Sequence, residues 1–208
     1  MPYVIAQVAL AGANGAFAEI VELDRVKSYI ERALIVFQSA EGRSSDLASQ
    51  DWENYFFIVQ AAGNRFLGLY ALRKNHAFEL AIQYFSRAIA IKSLKTTQGW
   101  KDPENYLLRA ESWEYGISIT KVKYEALPME QKNGEPGKAL LDRIKNYTQQ
   151  AVEDYARMLA LVQGRHTTTS SIYNDYIKGK LQMLLPNEPN RDVIIQNLIK
   201  RFLTEFAA

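Results

Sequence analysis

The chain offers few side chains that could run a reaction. It has no cysteine, which removes thiolate nucleophiles, thiolate metal ligands and disulfides. Its only histidines, His76 and His166, are far apart in sequence. His76-x-x-Glu79 could set two ligands on one helical face, but a metal site needs three or four and no second such pair exists. The expected role of His76 is a turn at a helix end. Carboxylates pair twice, as Glu111 with Glu114 and as Glu153 with Asp154. Such pairs do acid/base work only where burial separates their pKa values, and the apolar stripes of their helices place both pairs on the wet face. Gly134-Glu135-Pro136-Gly137-Lys138-Ala139 lacks the spacing of a phosphate loop, ends in alanine where a hydroxyl is needed and follows no strand, so it reads as a turn. No catalytic, cofactor-binding or metal-binding residue is assigned, no cofactor is expected, and the chain is not read as an enzyme.

Two binding features remain. Arg87, Lys92, Lys95, Trp100 and Lys101 gather basic side chains and an indole around the end of one helix and its loop. Cations neutralise phosphates and an indole stacks a base, so the set is a candidate nucleic-acid or partner patch; Asp102 and Glu104 stand beside it and temper its charge. Phe57 and Ile58 fall off the main apolar stripe of their helix. Either that helix is central, the favoured reading, or these two are apolar residues facing a partner.

Helices must position all of these residues, because apolar side chains recur at three- and four-residue steps and no two-residue alternation is present. Leu23, Val26, Ile30, Ala33, Leu34 and Phe37 form one stripe, closed by a polar turn at Glu41 to Ser45. Trp52 to Tyr70 forms the longest, with Ser49 or Asp51 as candidate N-cap, and Ala81 to Ile89 the next. Asp102-Pro103 reads as a cap followed by proline in the first turn of a helix carrying Tyr106, Ala110, Trp113 and Ile117. After the turn at Asn133 to Gly137 a long helix begins near Lys138, and Thr167 to Ser171 reads as a loop before two last helices. The expectation is an all-α fold of antiparallel helical hairpins, seven to eight helices, stacked as a repeat-like right-handed superhelix or packed as an irregular bundle, in one domain spanning 1–208. Its parts are N-terminal helices to residue 45, helix pairs at 52–93 and 103–162, and capping helices over 168–208.

Bulk properties agree with a folded domain. The 208 residues are 48% hydrophobic and 23% charged, inside the globular range. Twenty-five basic against 23 acidic side chains leave a formal charge of +2, so no overall field draws the chain to nucleic acid or a membrane surface. No segment reaches the roughly 20 apolar residues of a membrane span, and the apolar start lacks the basic region of a signal peptide. A cytoplasmic location is expected. The apolar closing helix, Ile194 to Phe206, either caps the fold or joins a second copy.

Two helices share one pattern in one phase, 70 residues apart: Ala81-Ile82-x-x-Phe85-x-x-Ala88-Ile89 and Ala151-Val152-x-x-Tyr155-x-x-Met158-Leu159. The pattern resembles the second helix of the tetratricopeptide-repeat family, which carries a small residue, an aromatic four on and a small residue three further. Met158 departs at the third position. Leu67-Gly68 resembles the family's Leu-Gly pair, and Tyr106, Arg109-Ala110 and Trp113 resemble a second unit's first helix. An insertion from about Ile117 to Asn146 lengthens that unit, and Ser93 stands where the family closes with proline. The resemblance implies a concave surface of first helices that grips a protein partner. Leu69 and Glu111 stand where the family places its basic and asparagine groups for a C-terminal carboxylate, so that ligand is not implied. The functional expectation is a non-catalytic protein-interaction scaffold subunit of a larger assembly; the alternative is an accessory subunit contacting nucleic acid through the basic and aromatic patch.

Overall fold

The computed structural model describes residues 2–17, 22–38, 49–93, 99–163 and 168–207. Every element among them is an α-helix: α1 (Pro2–Phe17), α2 (Leu23–Val36), α3 (Ser49–Arg73), α4 (Phe78–Ile89), α5 (Pro103–Glu125), α6 (Met129–Asn133), α7 (Glu135–Gln163), α8 (Thr168–Leu184) and α9 (Arg191–Ala207). Eight match the expected helices, and the short α6 is added between α5 and α7. Three starts differ. Helix α3 already contains Ser49 and Asp51, so neither caps it, and Asp51 lies in the first turn where negative charge suits the helix dipole. Helix α7 starts at Glu135 because Pro136 in a first turn forfeits no helical hydrogen bond. There Gly137 is required: a Cβ would stand 2.0 Å from the Lys132 carbonyl oxygen. Helix α8 begins at Thr168, inside the expected loop of Thr167 to Ser171. The turn at Glu41 to Ser45, together with His166, lies outside the described residues.

The chain divides into two compact units, Met1–Asn105 and Tyr106–Ala208. In the first, α3 is central: every residue from Ala61 to Leu69 is buried. Helix α1 packs on it and on α2 through Ala6, Ala9 and Ala13, small residues that allow close approach. Helix α2 inserts Val26, Ile30 and Ala33, and Phe37 beyond its end packs on Trp52 with ring centroids 4.7 Å apart. The chain reverses after Arg73, where His76 takes φ 51° and Ala77 N–H donates to the Ala71 carbonyl at 2.9 Å. This is the expected histidine turn, and histidine is among the few non-glycine residues that tolerate the left-handed region. Helix α4 then returns along α3. Gly68 permits this contact, since a Cβ there would lie 2.6 Å from the Phe85 ring, and Ala81, Phe85 and Ala88 are fully buried.

In the second unit α5 and α7 run antiparallel. Trp113 packs on Tyr147 with centroids 5.3 Å apart, while Arg109, a turn earlier, reaches Asp154, two turns later. Helices α8 and α9 also pack on α7. Ile195, Ile199, Phe202 and Phe206 of α9 are buried inside this unit, Phe206 edge-on to Tyr106 at 5.8 Å. With several neighbours, α7 is buried on most of its circumference from Ala151 to Ala160. This overturns the expected wet-face placement of the carboxylates. Asp154 is 1% exposed and accepts Nε and Nη2 of Arg109, both at 2.7 Å, and Nη1 of Arg157 at 3.2 Å. Glu153 is half-buried and takes Arg157 and Arg201. The same two guanidinium groups stand over the Phe202 ring, at 4.3 and 4.4 Å. Glu111 and Glu114 are also half-buried and face α8.

Candidate functional site

A groove of about 740 Å³ opens in the first unit where α2, α3 and α4 meet. Each helix contributes one face. Glu31, Leu34 and Ile35 come from α2; Gln60, Asn64 and Leu67, at steps of four and three, from α3; Tyr84 and Arg87 from α4, with Ala90 and Ile91 just past its end. Leu34, Ile35, Leu67, Ala90 and Ile91 give the walls an aliphatic half, set against the polar Glu31, Gln60, Asn64 and Arg87, and Ile35 is 64% exposed. The Gln60 side chain donates to the Phe37 carbonyl at 2.7 Å, which satisfies a carbonyl at the end of α2 that the helix leaves unpaired. That bond ties the end of α2 to α3.

The basic and aromatic patch begins at the mouth of this groove. The Trp100 backbone N–H donates to the carbonyl of Ile91, a residue of the groove lining, at 3.2 Å. The ammoniums of Lys92 and Lys101 stand 5.8 and 4.5 Å from the centre of that indole ring. Arg87 lies over the Tyr84 ring at 5.4 Å and lines the groove. The structure thus brings Lys92, Trp100 and Lys101 together, with Arg87 on the adjoining wall; Lys95 lies outside the described residues.

The neighbouring acids do not neutralise this patch. Asp102 and Glu104 both turn to Arg65 of α3, at 2.7 and 2.9 Å, and the Arg65 side chain is only 9% exposed. A buried guanidinium needs that negative charge more than exposed lysines do. Asp102 also accepts from Glu104 N–H at 3.0 Å, the expected cap of α5. Glu31, the one carboxylate in the groove lining, is paired with Lys27 at 2.7 Å. Arg87, Lys92 and Lys101 therefore have no carboxylate partner among the described residues.

Phe57 and Ile58 are half-buried. Phe57 packs edge-on against Phe56, ring centroids 5.1 Å apart, and neither residue lines the groove. The groove itself was not legible from periodicity, which assigned Leu34 to the core stripe. The available signal was Ile35, an aliphatic residue on the polar side of α2.

The second unit carries a polar cluster of its own. Lys180 of α8 donates to Glu114 at 2.6 Å, and the Tyr176 hydroxyl lies 3.4 Å from Glu111. Burial, the largest single influence, lowers the Lys180 pKa, but the hydrogen bond and charge of Glu114 together with Tyr176 outweigh it, so the net shift is upward. The Tyr155 hydroxyl is buried near the same carboxylates, and burial first, then Glu114 and Glu111, push its pKa well up. These side chains answer one another, and Tyr176 and Lys180 also line an open hollow of about 700 Å³ along α8, with Asp175, Met183, Pro186 and Arg191. A second groove, about 530 Å³, runs between α7 and α9 over Val152, Leu184, Ile194 and Leu198; the Arg201 on its rim is paired with Glu153.

Among the described residues no three His, Asp or Glu side chains gather as a metal site, and no helix is long and apolar enough to cross a membrane. Comparisons with protein-family models, curated proteins and solved structures return no significant match.

Proposed function

We propose that this protein is a non-catalytic cytoplasmic binding protein, a scaffold subunit of a larger assembly, built on divergent helix pairs of tetratricopeptide type. The observation that carries the reading is the open groove of the first unit: aliphatic side chains from α2, α3 and the residues just past α4, an exposed Ile35, and the buried α3 as its floor. Water-exposed aliphatic surface of this kind gains free energy when a partner covers it. Burial of Ala81, Phe85 and Ala88, and of Ala151, Tyr155 and Met158, supports the resemblance, as does the close contact of Gly68 with Phe85.

Affinity purification from the source cells with quantitative mass spectrometry tests the proposal. The wild-type chain is expected to recover a protein partner that Ile35→Glu loses. Ile35→Glu leaves the fold intact because the side chain is already mostly in water. Equal recovery by both chains, or a partner-free chain carrying out turnover, refutes the reading.

A further inference from the structure

Resting on that reading, we infer that the groove of the first unit takes an acidic, aliphatic peptide segment of its partner. The aliphatic side chains of the segment seat against Leu34, Ile35, Leu67 and Ile91, and its carboxylates meet Arg87, Lys92 and Lys101.

Two observations fix this chemistry. The first is the distribution of charge around the groove. Arg87 lines one wall, Lys92 follows the lining residue Ile91 in the chain and Lys101 shares the Trp100 indole with it, while among the described residues Glu31 is committed to Lys27, and Asp102 and Glu104 to Arg65. A basic segment would bring like charge onto this wall, whereas an acidic one gains both in encounter rate and in the bound state. The second is the nature of the walls. Leu34, Ile35, Leu67 and Ile91 suit branched aliphatic side chains, and a groove of about 740 Å³ holds several of them.

The same geometry disfavours a nucleic-acid strand. Base stacking would need the face of Trp100, and two ammoniums already stand over that ring. The groove lining offers Tyr84 as its single aromatic side chain. A phosphate could reach the lysines, but the aliphatic walls would remain uncovered.

The experiment pans a display library of 12-residue random peptides over the full-length chain, with Ile35→Glu as the negative selector. Circular dichroism confirms the fold of each variant. Selected peptides are expected to combine Leu or Ile with two or more Asp or Glu. Their affinity, read by fluorescence anisotropy, should fall on the order of tenfold in Arg87→Glu and further in Arg87→Glu/Lys92→Glu, and fall with added salt. Ile35-dependent peptides that are neutral or basic overturn the inference but leave the scaffold reading standing. Failure to select any Ile35-dependent peptide overturns the inference, and the fate of the scaffold reading then rests on the separate affinity purification. Tighter binding of a single-stranded oligonucleotide, lost in Lys92→Glu/Lys101→Glu with Ile35→Glu silent, overturns it in favour of a nucleic-acid ligand.

Discussion

Replacing Asp154 with asparagine tests whether the second unit is held by a buried ion network. The side chain is 2% exposed and accepts three charge-assisted hydrogen bonds, two from Arg109 and one from Arg157. The amide keeps the shape but removes the charge, and Arg109, itself 17% exposed at the side chain, loses its counter-ion. Breaking a buried pair by removing one partner costs about 3–5 kcal/mol, against about 5–15 kcal/mol for the stability of a whole domain. With a urea m-value of about 2 kcal/mol per molar, the midpoint should fall by about 2 M. Urea unfolding followed by circular dichroism gives the shift, and hydrogen exchange resolved to α7 locates it. Because an apolar pair of similar volume can replace a buried ion pair, Arg109→Met/Asp154→Leu should recover more than half of the loss. A shift equivalent to less than about 1 kcal/mol, the range of an exposed surface pair, refutes the reasoning and restores the wet-face placement of Asp154.

Three further outcomes follow from the geometry. Gly68→Ala places a Cβ 2.6 Å from the Phe85 ring and should cost about 1–3 kcal/mol; Phe85→Leu added to it should recover part of the loss in thermal melts, and a neutral Gly68→Ala contradicts the close contact. Burial raises the Tyr106 pKa to about 12 from its ordinary 10.0. A phenol raised in the folded state stabilises it below pH 10, and that contribution disappears as pH climbs toward 12. Tyr106→Phe, which cannot ionise, should therefore move alkaline unfolding to higher pH, as read by circular dichroism across an alkaline titration; an unchanged midpoint would show that Tyr106 is not buried in this way. Ile35→Glu should change the melting free energy by less than about 0.5 kcal/mol, as surface substitutions do, while abolishing peptide binding; a large loss of stability would mean that Ile35 belongs to the core.

Local features written in adjacent residues were legible. The cap at Asp102-Pro103, the reversal at His76 and the stripes of α2, α4 and α9 all depend on residues within one or two turns of each other, where spacing alone decides which side chains share a face. The closing helix illustrates the limit. Its stripe was visible, but that Ile195, Ile199, Phe202 and Phe206 would be consumed against neighbours within the second unit depends on contacts distant in sequence. The candidate site was half legible: Lys92, Trp100 and Lys101 do meet, yet the groove beside them was invisible because its three walls come from three helices.

What the sequence by itself determined is the helical class, the approximate bounds of the helices and the identity of most core stripes, since these follow from 3.6-residue periodicity and from turn chemistry. Tertiary structure alone decided the fate of the charges. Glu153 and Asp154 look like a solvated pair on α7 until several neighbouring helices bury that face, and Arg65 looks like one more surface cation until it claims Asp102 and Glu104. Periodicity counts the apolar positions of a single helix; it does not count how many helices will surround it. For α7 that number made the difference between a wet carboxylate and a buried one, and for α3 between a surface cation and the buried Arg65 that claims Asp102 and Glu104.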